Sequence, residues 1–108
     1  MFQLNLRMMA PPRCAVASIK ALRSIAIAAQ LERGFIASRI YQDVEDPEAL
    51  YLQEDWCSEK ELKSNIRSSC FTDLLMLMET SPEPPVLEVR SVSEIHGLEY
   101  IEAVRFET

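Results

Sequence analysis

Few side chains in this sequence are suited to chemistry, and they lie far apart: His96, Trp56, Asn5, Asn65, and the thiols of Cys14, Cys57 and Cys70. His96 is the sole histidine and so the natural group for proton transfer near neutral pH. Gly97 beside it marks a turn or bulge, where an exposed and idle imidazole is expected. Trp56 offers a face for stacking on an aromatic ligand, although its place at a strand end, under a helix, favours core packing. Asn5 interrupts an otherwise apolar strand and needs a partner if buried, which favours a site. Asn65, on a helix, is either solvated or in contact with a substrate. Arg67 and Arg90 can bind an anionic group, but single arginines are usually surface charges. Met76, Leu77 and Met78 read as core packing. The three cysteines are odd in number, have no close pairing and follow no metal spacing, so they read as reduced, mostly buried intracellular thiols. There is no glycine-rich phosphate loop, no paired carboxylates at a defined spacing and no sign of a triad.

The bounds are those of one small soluble domain of 108 residues, with 48% hydrophobic and 26% charged side chains. A formal charge of −6 argues against a nucleic-acid binder, which needs a basic face. The charge is uneven: residues 1–33 carry a net +4, leaving −10 for the rest. A basic, acid-poor start also suits a transit peptide, but its periodicity favours an ordinary strand and helix. The longest apolar run there, residues 25–29, is far short of the roughly 20 residues of a membrane span. The expectation is a cytoplasmic protein with no membrane and no nucleic-acid partner.

The elements follow from periodicity. Phe2, Leu4, Leu6 and Met8 alternate with Gln3, Asn5, Arg7 and Met9, a strand signal. Pro11 and Pro12 stop it and suit the first turn of a helix, whose apolar face runs through Ala15, Ile19, Leu22, Ala26 and Ala29. Gly34 sits where a helix cap or strand entry is wanted. Residues 35–44 and 49–57 read as a hairpin about the acidic turn at 45–48. In the second of these strands Leu50, Leu52, Glu54 and Trp56 share one face. Ser58 and Glu61 then form a capping box that opens a helix. After a break near Ser68 and Ser69, Phe71, Leu74, Leu75 and Met78 mark another helical face. Residues 81–85 are an extended proline-rich linker, and residues 86–95 and 98–106 read as final strands. The order is β-α-β-β-α-β plus one strand: a single α+β domain over residues 1–108 with a ferredoxin-like antiparallel sheet. Its helices cover one face. On the other, Met9 and a second apolar set in the hairpin (Phe35, Ala37 and Tyr41 against Ile36, Ile40 and Val44) predict strands buried on both sides. An isologous homodimer is the simplest cover.

With these elements in place the chain resembles the antibiotic biosynthesis monooxygenase-like domains, which are dimeric α/β barrels. The resemblance spans nearly the whole chain and is most specific at Glu54-x-Trp56, Ser58-Glu59-x-x-Leu62 and Asn65-Ile66-Arg67-Ser68-Ser69-Cys70-Phe71. Gly34, Asp46-Pro47 and Pro84-Pro85-Val86 support it. Many relatives carry two histidines in the second of these helical stretches; here Asn65 and Cys70 stand at those positions.

The resemblance implies an oxygenase with no cofactor and no metal, acting on a quinol, anthrone or similar aromatic small molecule. Asn5 and Asn65 would be its catalytic residues, with Trp56, Phe71 and Tyr51 against the substrate. The pocket would lie between sheet and helices and hold a flat, quinone-like ligand. An asparagine cannot act as a base near neutral pH, so the proton would pass to water held by Asn5 and Asn65. A non-catalytic small-ligand-binding or dimerisation module is the alternative. The heme-degrading branch is a further one: it is similar at Asn5, but Leu75 falls where its iron-ligating histidine is expected.

Overall fold

The computed structural model describes residues 1–107. The chain runs β1 (Phe2–Met9), α1 (Ala15–Ala29), β2 (Phe35–Gln42), β3 (Ala49–Trp56), α2 (Glu59–Ile66), α3 (Ser69–Met78), β4 (Val86–Ser91) and α4 (Leu98–Arg105). The strands form one antiparallel sheet in the order β2-β3-β1-β4, the ferredoxin-like arrangement. Helices α1, α2 and α3 cover one side. Register places Phe2, Leu4, Leu6 and Met8 beside Trp56, Glu54, Leu52 and Leu50 on that side. There they join Leu22, Leu62, Phe71 and Leu74 in a single buried core. Burying a side chain of this size stabilises the fold by about 1.5–3 kcal/mol, so these residues hold the helices to the sheet.

Local signals explain the junctions. Ser58 Oγ accepts the Glu61 N–H at 3.4 Å, and Ser68 Oγ accepts the Phe71 N–H at 3.3 Å, so α2 and α3 each start on a serine cap. Gly34 has φ +84°, and a Cβ there would run into the Glu61 side chain. Only glycine allows both that backbone and that approach.

Four expectations are corrected. The stretch expected as a strand over 98–106 is instead helical over Leu98–Arg105: Leu98, Ile101 and Val104 recur at helical spacing, and Glu99 Oε1 accepts the Gly97 N–H at 3.0 Å at the helix start. The strand expected through residue 95 ends at Ser91. The prolines precede α1 rather than opening it. Pro11 O accepts the Cys14 N–H at 2.9 Å in a turn, Arg13 takes φ 65°, and Cys14 is the N-cap.

The fourth correction concerns the uncovered side of the sheet. A bulge between Phe35 and Ala37 shifts the phase of β2, so Ile40 joins Phe35 on the helix side, opposite Leu52. The open side of the three longer strands therefore carries Gln3, Asn5, Arg7, Arg39, Gln53 and Asp55 together with Tyr41, Tyr51, Ala37 and the expected Met9 beside Ala49, and it is mixed rather than apolar. Of the smaller expectations, no cysteine is fully buried, and Cys57 is exposed. In the Met76–Met78 stretch only Leu77 and Met78 pack on the core; Met76 is exposed.

Candidate functional site

The sheet separates the residues expected to share one pocket. Trp56, Asn65 and Phe71 lie on the helix-covered side, while Asn5 and Tyr51 lie on the open side. A strand turns successive side chains to opposite faces, so Asn5 cannot join Trp56.

On the covered side Trp56 is fully buried and meets Phe35 edge to face, with ring centroids 5.7 Å apart. It is core, as its position predicts. Asn65, near the end of α2, is also buried; its backbone carbonyl takes the Ser68 hydroxyl at 2.6 Å and fixes the α2–α3 corner. Phe71 packs behind it from α3.

Glu54 is the residue that the sequence reading passed over. It is 2% exposed, among leucines and Trp56, and forms no ion pair among the described residues. Burial raises its pKa from 4.5 to about 7; the neighbouring Trp56 indole N–H offsets this only in part. That N–H and the Asn65 Oδ1 are buried with no well-formed hydrogen bond. Cys70 donates to Ile25 O at 3.5 Å, and its thiol pKa is raised by burial and then by the charge of Glu54. A hollow of about 460 Å³ opens between α1 and β2, lined by Ile19, Ala26, Ile27, Ser38 and Ile40, with Arg23 at its wall. Ser38 is the cross-strand partner of Glu54. A carboxylate inside an apolar stripe is the signal that marked Glu54 in the sequence.

The open side holds a second hollow, of about 490 Å³, lined by Asn5, Arg7, Tyr41, Tyr51, Gln53 and Arg90 among others. Its arginines, and Arg39 beside it, each reach a partner. Arg7 Nε donates to Tyr51 Oη at 3.2 Å and lies over its ring, and Tyr51 donates to Asp43 at 3.4 Å. Arg39 pairs with Asp55 at 3.2 Å, and Arg90 with Glu88 at 2.9 Å. The Asn5 Nδ2 is buried there without a partner.

The remaining candidates lie elsewhere. His96 is exposed, 3.1 Å from Glu94 and tilted against Tyr100. Arg67 is exposed at the end of α2. Leu75 is exposed on α3 and offers no donor to iron. Among the described residues no group of three or more His, Cys, Asp or Glu side chains is placed to hold a metal ion. No helix is long and apolar enough to cross a membrane.

No family model and no curated protein matches the chain. Solved structures do. A Deinococcus radiodurans protein described as a candidate antibiotic biosynthesis monooxygenase superposes with a TM-score of 0.79 at 15% identity, covering 90% of this chain and 97% of that one. An antibiotic biosynthesis monooxygenase gives a TM-score of 0.74 at 16% identity, covering 87% of this chain and all of the other. A conserved protein from Methanosarcina mazei gives 0.74 at 23% identity, covering 82% and 89%. The chain therefore has the ferredoxin-like α+β fold of the antibiotic biosynthesis monooxygenase structures.

Proposed function

We propose that this protein is a cofactor-independent monooxygenase acting on an anthrone, a quinol or a related electron-rich aromatic. One observation carries the reading. On the side of the sheet that the helices cover, the Asn65 side-chain Oδ1 is buried without a partner, and the Trp56 N–H, with no well-formed hydrogen bond, has only the neighbouring Glu54 carboxyl to act on. Native interiors rarely leave such groups unmatched unless a ligand or a function uses them. The fold shared with monooxygenase structures supports the same chemistry.

For an anthrone the reaction is CH2 + O2 → C=O + H2O. Removing a proton from the activated methylene gives a carbanion able to reduce O2 itself. A carbon–oxygen bond then forms, and loss of water leaves the quinone carbonyl. The protein has to hold the ring system, accept the proton and steady the enolate oxygen. The Trp56 indole N–H is a donor for that oxygen, and Phe71 is an apolar wall. Oxygen consumption by purified protein with anthrone and with a naphthoquinol, measured against spontaneous oxidation, tests the reading. Rates no higher than the uncatalysed ones for both would refute it.

A second reading, a non-catalytic small-ligand-binding module, is favoured by the open-side hollow with its unpaired Asn5 amide, and by Asn65 and Cys70 in place of histidines. Ligand-induced change in tyrosine fluorescence without oxygen uptake would select it.

The proposed homodimer rests on α4 rather than on an apolar sheet face. That helix buries none of its residues and presents Tyr100, Ile101 and Val104 to solvent. Unpartnered apolar faces of this kind mark interaction surfaces. Light scattering should give twice the 12.3 kDa chain mass, and α4 variants bearing Ile101→Glu and Val104→Glu should halve it. A cytoplasmic location belongs to the same proposal.

A further inference from the structure

We propose that Glu54 is the proton acceptor of this site, taking the substrate's acidic C–H or O–H proton on its carboxylate. The inference rests on the monooxygenase reading and supplies what that reading lacks, since neither Asn5 nor Asn65 can act as a base.

The geometry carries it. Glu54 lies in β3 between Leu52 and Trp56 on the helix side, beside Leu4 of β1 and Ser38 of β2 in register. Cross-strand neighbours sit about 4.5–5.5 Å apart at Cβ. Ser38 is also in the lining of the hollow between α1 and β2, together with Arg23, Gln30 and Gln42, whereas Glu54 does not line it; Glu54 is the cross-strand neighbour of that lining residue. Ring atoms entering along Ile19, Ala26 and Ile40 would lead the reactive carbon past Ser38 toward Glu54 and the Trp56 N–H.

The electrostatics agree. The elements packed over Glu54 bring no cation within ion-pair distance, and Cys70 of α3 is the titratable group whose own pKa feels its charge. A carboxyl so placed has a pKa near 7, which makes it a far stronger base than an exposed glutamate while leaving it ionised in a useful fraction of molecules. The balance closes without another group. Glu54 takes one proton as the substrate carbanion forms, O2 accepts the electrons, and the proton leaves with the water released on forming the carbonyl.

The test is the pH dependence of anthrone oxidation by the full chain, wild type against Glu54→Gln and Cys70→Ser. Wild-type kcat/KM should rise about tenfold per pH unit and level off near pH 7. Glu54→Gln should lower kcat by about 100-fold or more at pH 8 and flatten the profile, with its thermal melting retained. Cys70→Ser should keep the inflection. A wild-type profile flat from pH 5.5 to about 8.5 overturns the proposal even if Glu54→Gln fails to fold. So does a Glu54→Gln enzyme with wild-type kcat, or an inflection that vanishes in Cys70→Ser. In those cases oxygen uptake by wild type still stands and the monooxygenase reading survives; absence of uptake by wild type removes both.

Discussion

The two sides of one sheet treat their charged groups in opposite ways. On the open side Arg7, Arg39 and Arg90 each reach a partner, and water can reach them all. On the covered side Glu54 has no cation within ion-pair distance among the described residues. Both sides hold buried polar atoms without a well-formed hydrogen bond, Trp56 Nε1 and Asn65 Oδ1 on the covered side and Asn5 Nδ2 and Asp55 Oδ1 on the open one. Exposed pairs add little to stability because solvent already satisfies their members. A buried carboxyl with no cation is costly, so Glu54 adds nothing to stability that a leucine in its place would not.

The largest effect should come from the covered side. Trp56→Ala removes a fully buried ring that meets Phe35, and should cost about 3–5 kcal/mol in denaturant unfolding. A loss under about 1 kcal/mol would mean that the ring is dispensable and the covered side is not a packed interior.

Next is a pH effect. The folded pKa of Glu54 lies above its ordinary value, so between about pH 4.5 and 7 the native state keeps a proton that the unfolded chain has released. Stability therefore falls as pH rises through that window, by roughly 3 kcal/mol, and is level above it. Glu54→Gln should lack that decline, so the variant gains on wild type as pH increases. Parallel stability curves would show that Glu54 is ionised at its ordinary pKa.

Gly34→Ala should cost about 1–2 kcal/mol from its left-handed backbone, and more if Glu61 cannot move aside. The smallest effect belongs to the open side: Arg90→Gln, which breaks the exposed pair with Glu88, should change stability by less than about 1 kcal/mol. A larger loss would erase the contrast between the two sides.

The sequence carried much of the fold. Strand alternation in residues 2–9, the helical face from Ala15 to Ala29 and the Ser58 cap all have strong local causes, and all appear in the structure. It misled over residues 98–106, where Leu98, Ile101 and Val104 recur at helical spacing rather than at strand alternation. It also misled at Phe35, because a bulge changes which residues share a face and nothing local announces it. The site was only partly legible. Trp56 and Phe71 do lie together on the covered side, whereas Asn5 and Tyr51 follow from strand phase to the other face. Glu54 was visible in its apolar stripe, but its isolation from every cation depends on how three helices pack over the sheet.

The most direct measurement is the carboxyl carbon-13 titration of Glu54 by NMR in the folded protein. The account predicts a midpoint near pH 7, well above the ordinary carboxylate range of about 4–5. A Glu54 midpoint in that same range would contradict it, because the covered side would then hold a solvated or paired carboxylate rather than a base kept near neutrality by burial.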